Sequence, residues 1–479
     1  MPELNLDDTI SAISTPIGEA GIGIVRLSGK DALKIADKIF KSSDNKKPSS
    51  FKTYTIHYGW IVDEHRASSI EHRECGNKIS KPEIIDEVIL TIMRSPKTYT
   101  KEDIAEINCH SGIVPLKRIL DLTLKNGARL AEPGEFTRRA LINGRIDLIQ
   151  AEAVLNIIQA RTDKALAIGL NQLKGKLSQE IEAIRNFLLD IYAQIEATID
   201  FPDEDIKEYN TSQLSNKIER IKIRIKKLLD SSSQGKILCN GIRVVIAGKP
   251  NVGKSSLLNI LLRDSRAIVT DIPGTTRDTI EETANIKGIP VRLVDTAGII
   301  EPRDLVEIEA VKKSHESINS ADLVLLVLDA SSKFNLEDNM IIQNLNGKKI
   351  ICLVNKCDLN PNPNLRLIKK DLPKIKIIKI SCLKNQGIAK LEEAICRDVW
   401  NGRVFAWDNV LVSNLRQIEC LRNVFLSIEK VELATRNCCS IEIICEELKS
   451  ALKYLDDILG KNISIDVLDT IFSKFCIGK

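Results

Sequence analysis

No two of the 12 cysteines in this 479-residue chain stand at C-x-x-C spacing, which argues against a zinc ribbon or a dithiol redox site. Scattered thiols of this kind fit a reducing, cytoplasmic setting. No apolar run approaches the ~20 residues that cross a bilayer, and the opening Met1-Pro2-Glu3-Leu4 carries neither a signal nor an Arg-rich transit pattern. A cytoplasmic protein without a membrane segment is expected. Charge of one sign is also scarce: 69 basic against 65 acidic residues leave a net +4. Nucleic-acid binding, if present, must rest on a local patch. Lys217–Lys227 and Arg138-Arg139 are the candidates, with a solvated helix face the commoner meaning of the first. His65, His72 and Cys75 lack a tight pair and read as a surface loop, and Cys438-Cys439 reads as core.

What is present is sharper. Gly248-Lys249-Pro250-Asn251-Val252-Gly253-Lys254-Ser255-Ser256 spells G-x-x-x-x-G-K-S between an apolar run, Ile242–Ala247, and the apolar-periodic Leu257, Leu258, Ile260, Leu261. A strand, a glycine loop and a helix N-terminus together point backbone N–H groups and positive potential at a phosphate. Lys254 would reach the β- and γ-phosphates and Ser255 would hold Mg²⁺. Downstream, Val291–Asp295 leads into Asp295-Thr296-Ala297-Gly298, a D-x-x-G in which Asp295 suits Mg²⁺ through water and the Gly298 N–H suits the γ-phosphate. A third strand-like run, Ile350–Val354, ends in Asn355-Lys356-Cys357-Asp358. The Asp358 carboxylate matches the two donors of a guanine edge, and adenine would leave it unpaired, which supports discrimination. Ser381-Cys382-Leu383 occupies the place of the usual Ser-Ala, so its base contact departs from the common pattern.

Many GTPases put Gln after D-x-x-G to orient the attacking water; here Ile299 and Ile300 follow. Water positioning must come from elsewhere. Glu307 and Glu309 are candidates, with a solvated helix face backed by Lys312 and Lys313 as the alternative. Ile268–Asp278, which contains Thr270-Asp271-Ile272-Pro273-Gly274-Thr275-Thr276, has the composition of a first switch loop, with Thr276 suited to Mg²⁺. Its oxygens and that of Asn251 suit a monovalent cation that would neutralise developing charge in place of an arginine finger; turn hydrogen bonds are the alternative.

About three domains are expected from the length. Residues 1–143 alternate β-like runs (Gly23–Leu27, Val88–Met93, Ile104–Ile107) with helices and read as α+β. Residues 144–236 turn helical, with Leu177, Ile181, Ile184, Leu188, Ile191, Ile195 and Ile199 forming one stripe that breaks at Asp200-Phe201-Pro202-Asp203. Ser231-Ser232-Ser233-Gln234-Gly235 reads as a hinge into a GTPase domain, 237–402. Helical periodicity returns in 403–479 at Leu415, Ile418, Leu421, Phe425 and Ile428. The expected architecture is multidomain α/β plus α: an α+β N-terminal domain and a discontinuous helical domain with a P-loop GTPase domain inserted.

Beyond the GTPase strings, the chain carries Gly23-Ile24-Val25-Arg26-Leu27-Ser28-Gly29, Pro133-Gly134-Glu135-Phe136-Thr137-Arg138-Arg139-Ala140, Asn143-Gly144-Arg145-Ile146-Asp147-Leu148 and a terminal Phe475-Cys476-Ile477-Gly478-Lys479. On these it resembles, over essentially its whole length, the MnmE (TrmE) family of bacterial tRNA modification GTPases. The resemblance implies a folate-binding, dimerising N-terminal domain that holds a 5-formyltetrahydrofolate-type donor at Arg26, Glu106 and Arg145, with Lys479 close by. It implies a homodimer, a flavin-binding (FAD) partner in a heterotetramer, and installation of an aminomethyl-type (carboxymethylaminomethyl) group at C5 of the wobble uridine of certain tRNAs. It implies GTP hydrolysis stimulated by K⁺, with ligands at Asn251, Thr270, Ile272 and Thr275 and a water-orienting Glu307. Cys476 matches a cysteine of the family's terminal motif, its role left open. A ribosome-assembly GTPase and a nucleotide-gated scaffold are the rivals; no second P-loop and no G-x-x-G RNA clamp after the GTPase segment supports the first.

Overall fold

The computed structural model describes residues 7–67, 82–200, 211–263, 282–295, 316–332, 336–343, 345, 347–359, 375–400, 410–437 and 439–479. The chain forms two compact units, one of residues 1–155 with 459–479 and one of residues 156–458.

The first unit is built on a seven-stranded sheet among the described residues. Its strands are β1 (Ile10–Ile13), β2 (Ala20–Ser28), β3 (Phe40–Ser42), β4 (Thr55–Ala67), β5 (Pro82–Met93), β6 (Ile104–Ser111) and β7 (Arg129–Leu130), in the order β3-β4-β5-β6-β2-β1-β7. All pairings are antiparallel except β1 with β7. Alternate side chains of β2, β5 and β6 (Val25, Leu27, Val88, Leu90, Ile92, Ile107) bury against helices α1 (Ala32–Ile39) and α2 (Ile113–Lys125), as the period of two requires for a sheet covered on one face. Helices α3 (Glu135–Ile142) and α4 (Leu148–Ile158) follow.

The second unit opens with α5 (Asp163–Leu173), α6 (Lys176–Asp200) and α7 (Thr211–Asn240). The expected stripe on α6 is buried from Leu177 to Ile195. Ser231–Gly235 is not a hinge: it lies inside the continuous helix α7. Gly235 is there because a Cβ would fall 2.2 Å from the Val412 carbonyl oxygen, so the small residues serve close packing. The chain leaves the helix at Gly241, whose φ of 75° a side chain would strain. It then enters a six-stranded sheet of β8 (Ile242–Ala247), β9 (Glu282–Ile286), β10 (Ile289–Asp295), β11 (Leu323–Asp329), β12 (Ile350–Asn355) and β13 (Lys376–Lys379), with α8 (Lys254–Arg263), α9 (Leu336–Gln343) and α10 (Ile388–Trp400). The order is β13-β12-β11-β8-β10-β9, parallel except for the edge strand β9. Val244 and Ile246 bury on one face and Val245 and Ala247 on the other, which is why Val244–Ala247 of β8 and Leu323–Leu328 of β11 read as apolar runs rather than alternating ones. The order changes direction at β8, so the loop after β8 sits at the crevice where such sheets bind ligands.

Helices α11 (Leu415–Arg436) and α12 (Ile441–Leu459) return to α6 and α7. Lys222 of α7 pairs with Glu432 at 2.8 Å and Glu429 at 3.2 Å of α11, and Arg185 of α6 pairs with Asp456 of α12. Ile418, Leu421 and Ile428 are buried as the periodicity required, but Leu415 is 60% exposed; Val424 and Val431 complete the buried stripe instead. Cys439 is exposed rather than core. The last helix, α13 (Ile465–Phe472), and the terminal residues belong to the first unit, where Phe472 and Phe475 pack with Ala140, Ile146 and Ala151.

Candidate functional site

The loop between β8 and α8 has the shape of a phosphate cradle. Gly248 and Gly253 take φ of 153° and 101°, and Asn251 takes 62°. Glycine is required at both: a Cβ on Gly248 would meet the Val327 carbonyl oxygen at 2.4 Å, and one on Gly253 would meet Asn355 Nδ2 at 2.2 Å. Lys254, the first residue of α8, is buried, and its ammonium donates to the carbonyl oxygens of Gly248 (3.0 Å) and Lys249 (2.8 Å). It therefore lies in the mouth of the loop, at the positive end of a ten-residue helix. Ser255 and Ser256 are exposed on the first turn, and Val252 is buried beneath it.

The guanine-reading loop clamps this cradle. Asn355 ends β12, is 2% exposed, donates Nδ2 to the Val252 carbonyl oxygen at 2.8 Å and accepts the Cys382 N–H at 3.1 Å. The Cys382 departure thus leaves this contact intact, because a backbone N–H makes it. Burial pushes the Cys382 thiol up to about 11, so it stays protonated near neutrality. Lys356, at φ 61°, reaches the Asn251 carbonyl oxygen at 3.0 Å and pairs with Asp329 at 2.6 Å. Burial works to raise the Asp329 carboxyl, but the bonds from Lys356 and Ser331 more than offset it and hold the group below its ordinary range. Asp358 accepts from the buried Ser381 hydroxyl at 2.6 Å, and that bond first of all lowers its pKa. It is an ionised acceptor at neutral pH, as the pairing with guanine donors requires.

Thr270, Asp271, Ile272, Pro273, Gly274, Thr275, Thr276, Thr296, Ala297, Gly298 and Glu307 lie outside the described residues. For Asp295 the backbone is placed, paired with Ile246 of β8. Sequence reading missed Asp329 and a second ion pair, Lys249–Asp338 at 2.7 Å, which ties the cradle to α9. A carboxylate closing the apolar run Leu323–Leu328 was the available signal for Asp329; nothing local announces Asp338.

The first unit gathers a separate cluster. Arg26 of β2 and Glu106 of β6 are cross-strand partners, with Nε to Oε1 at 2.7 Å. The chain end comes to them: the Gly478 carbonyl oxygen accepts from Arg26 Nη1 at 3.1 Å and from Ser14 Oγ at 3.2 Å. Gly478 has φ 93°, and a Cβ there would lie 2.4 Å from the Ile13 carbonyl oxygen. Burial, then the Arg26 charge, push the Lys479 ammonium below the usual lysine value, with Glu106 opposing. Cys476 is exposed, and its carbonyl oxygen accepts the Gly134 N–H at 3.3 Å. Arg145 has a different partner, lying 4.8 Å over the Tyr99 ring. Lys101 holds its loop through the Asn143 (2.8 Å) and Gly144 (3.0 Å) carbonyl oxygens.

The first unit also holds a partly buried ionic knot. Arg139, fully buried, meets Asp8, Glu102 at 3.1 Å and Glu135 at 3.0 Å, while Arg129 meets Glu135 and Asp8, each at 2.6 Å. It fixes the turn at Gly134, where a Cβ would strike Phe472 and Phe475. Among the described residues no group of three or more His, Cys, Asp or Glu is placed to hold a metal.

Comparison with known proteins places these features. Residues 9–145 match the model of the GTP-binding protein TrmE N-terminus, and residues 148–476 match that of the MnmE helical domain. The tRNA modification GTPase MnmE of Alkaliphilus oremlandii is 46% identical over 474 residues, covering 99% of this chain and 100% of that one. The protein of the same name from Bacillus subtilis is 43% identical over 473 residues, with 98% and 100% covered. Among solved structures, Aquifex aeolicus Era bound to GDP and AlF4⁻ is 30% identical over 39% of this chain and 66% of its own, with a TM-score of 0.29. A score that low carries no weight beside the sheet order and the loop geometry.

Proposed function

Because the chain belongs to the MnmE family of tRNA modification GTPases, we propose that its GTP hydrolysis is K⁺-stimulated and drives attachment of a carboxymethylaminomethyl-type group to C5 of the wobble uridine. GTP binds the β8–α8 loop, read by Asp358 and backed by Lys356. The observation that carries the reading is the Asn355 clamp, which ties the guanine-reading loop to the phosphate loop through Val252 and Cys382. Ser255 and Thr276 hold Mg²⁺, while Asp295, Thr296, Ala297 and Gly298 sense the γ-phosphate. Asn251, Thr270, Ile272 and Thr275 would hold K⁺, which when bound would supply positive charge beside the phosphates. Asn251 fits that role through its side-chain oxygen: Lys356 fixes its backbone by bonding the carbonyl oxygen, and the residue is exposed at the loop rim. Glu307 orients the water that Ile299 leaves without a polar partner.

The cluster of Arg26, Glu106 and Lys479, with Arg145 nearby in sequence to α3, takes the folate. The donor set fits: one carboxylate for the amino and ring N–H donors of a pterin, and cationic groups for glutamate carboxylates. When bound, the 5-formyltetrahydrofolate-type donor supplies the one-carbon unit. The chain's part is to hold and orient it: Arg26 is fixed by Glu106 and the Gly478 carbonyl oxygen. The four-part organisation, 1–143, 144–236, 237–402 and 403–479, a homodimer and an FAD-binding partner complete the reading. Ile56 (69% exposed), Tyr58, Ile84 (61%) and Ile89 on β4 and β5 form an apolar patch that supports self-association. The test is the steady-state GTPase rate in K⁺ and in Na⁺ at equal ionic strength. A rate several-fold higher in K⁺, lost with nucleotide binding retained in Glu307→Ala, is expected. Equal rates in both ions would remove the cation site.

A further inference from the structure

The strands β9 and β10 form a hairpin whose two ends lead into the two segments read as nucleotide switches. β9 starts at Glu282, directly after residues 264–281, and β10 ends at Asp295, directly before residues 296–315. The hairpin is the shared base of both. Its turn, Lys287-Gly288, takes φ of 50° and 85° and is braced by Asn285 Oδ1, which accepts the Gly288 N–H at 2.8 Å.

Helix α5 grips this hairpin at both ends. Lys164 Nζ donates to the Lys287 carbonyl oxygen at 2.8 Å, and its stem lies so close that a Cβ on Gly288 would fall 2.5 Å from Lys164 Cε. Just before the helix, Arg161 Nη1 donates to Thr283 Oγ1 at 3.1 Å, five residues after Asp278. Thr283 is paired in register with Arg292 of β10, so a pull on one strand is felt by the other. Thr162, the N-cap of α5, accepts from Ala165 N at 3.2 Å and fixes the start of the helix between Arg161 and Lys164.

The other end of α5 is anchored just as firmly, and to a different element. Gln172, 3% exposed, donates to the Leu411 carbonyl oxygen at 3.0 Å and to Ser413 Oγ at 3.3 Å. Residues 411–413 lead into Asn414, the N-cap of α11, and Val412 is also where α7 packs through Gly235. α5 is therefore a short rigid bar with its N-terminal end on the switch hairpin and its C-terminal end on the junction of α7 and α11.

We propose that Arg161 and Lys164 are coupling residues that transmit the nucleotide state from the β9–β10 hairpin through α5 to the helical elements, so that tRNA modification, but not GTP turnover, depends on them. This rests on the reading of residues 268–278 as the first switch and of the D-x-x-G segment from Asp295 as the second. The Lys164–Lys287 and Arg161–Thr283 bonds both go to the hairpin rather than to the phosphate or base loops, so hydrolysis itself should not need them. A contact carries coupling only where both sites bias the same element, and here that element is α5.

The test uses the full chain and the double variant Arg161→Ala/Lys164→Ala, with GDP and a non-hydrolysable GTP analogue. Hydrogen exchange is followed in residues 161–173 and 282–295. In the unaltered protein both segments should differ between the two nucleotides; in the variant only 282–295 should. GTP hydrolysis should stay within about twofold, while the modified fraction of tRNA in complemented cells falls about tenfold, the range of a typical coupling. If 282–295 is indifferent to nucleotide in the unaltered protein, the switch reading fails. If 282–295 responds and 161–173 does not, or 161–173 responds equally in the variant, the coupling proposal fails alone. A parallel loss of hydrolysis and modification would make the contact a support of the GTPase fold and overturn the proposal as well.

Discussion

Gly253→Ala should abolish useful nucleotide binding while leaving the chain folded. The new methyl group would lie 2.2 Å from Asn355 Nδ2, far inside any real contact, at a φ of 101° that side chains rarely adopt. The backbone strain costs about 1–3 kcal/mol. Asn355 cannot yield freely, since it is buried and held at 2.8 Å to Val252 and 3.1 Å to Cys382. Displacing it breaks bonds whose buried loss costs about 1–3 kcal/mol. Together these disfavour the binding-competent loop by about 2–6 kcal/mol, or roughly one and a half to four and a half decades in affinity. A fluorescent GDP analogue titrated against the variant reads the effect directly, with circular dichroism as the check on folding. Gly347→Ala is the control: its φ of 81° imposes strain, but nothing lies within 4 Å of the new Cβ, so affinity should not move. Binding by Gly253→Ala within threefold of the unaltered protein would refute the claim that Asn355 and the phosphate loop form one rigid clamp.

Asp358→Asn should shift preference from GTP toward xanthosine triphosphate, because an amide offers a donor where the carboxylate only accepts; competition assays showing unchanged GTP preference would reassign the base contact. Arg139→Met should destabilise the first unit by about 3 kcal/mol, the low end for breaking a buried ion pair, because Arg129 still pairs with Asp8 and Glu135; the loss is read as a lower urea midpoint. The same knot predicts a pH dependence. Burial works to raise the Asp8 and Glu135 carboxyls, but the arginine bonds outweigh it and hold both below their ordinary 3.8 and 4.5. Their contribution is therefore present above those values and lost as pH falls through the lowered ones. Stability of the first unit should drop below about pH 4.5, with a shallower slope in Arg139→Met; parallel slopes would contradict it.

Much of the nucleotide site was legible because its chemistry is local. Glycines at 248 and 253 announce backbone that other residues cannot follow, and Asn355, Lys356 and Asp358 lie together at the end of one apolar strand. The clamp between those strings was not legible, since Asn355 reaches Val252 across 103 residues of sequence. Composition misled at Ser231–Gly235: small polar residues favour turns, but here they let α7 approach the backbone at Val412. Periodicity failed at Leu415, which precedes the first full turn of packing on α11 and faces solvent. The tail was harder still. Residues 465–472 fall within the stretch 403–479 assigned to the helical domain, and Phe472 and Phe475 dock beside Gly134, a tertiary contact with no periodic signature.

The most direct measurement is the mass of the wobble uridine in tRNA from cells lacking this chain, with and without the unaltered protein restored. A nucleoside short of the C5 group when the protein is absent, and complete when it returns, is the predicted result. Complete modification in its absence would contradict the proposed role.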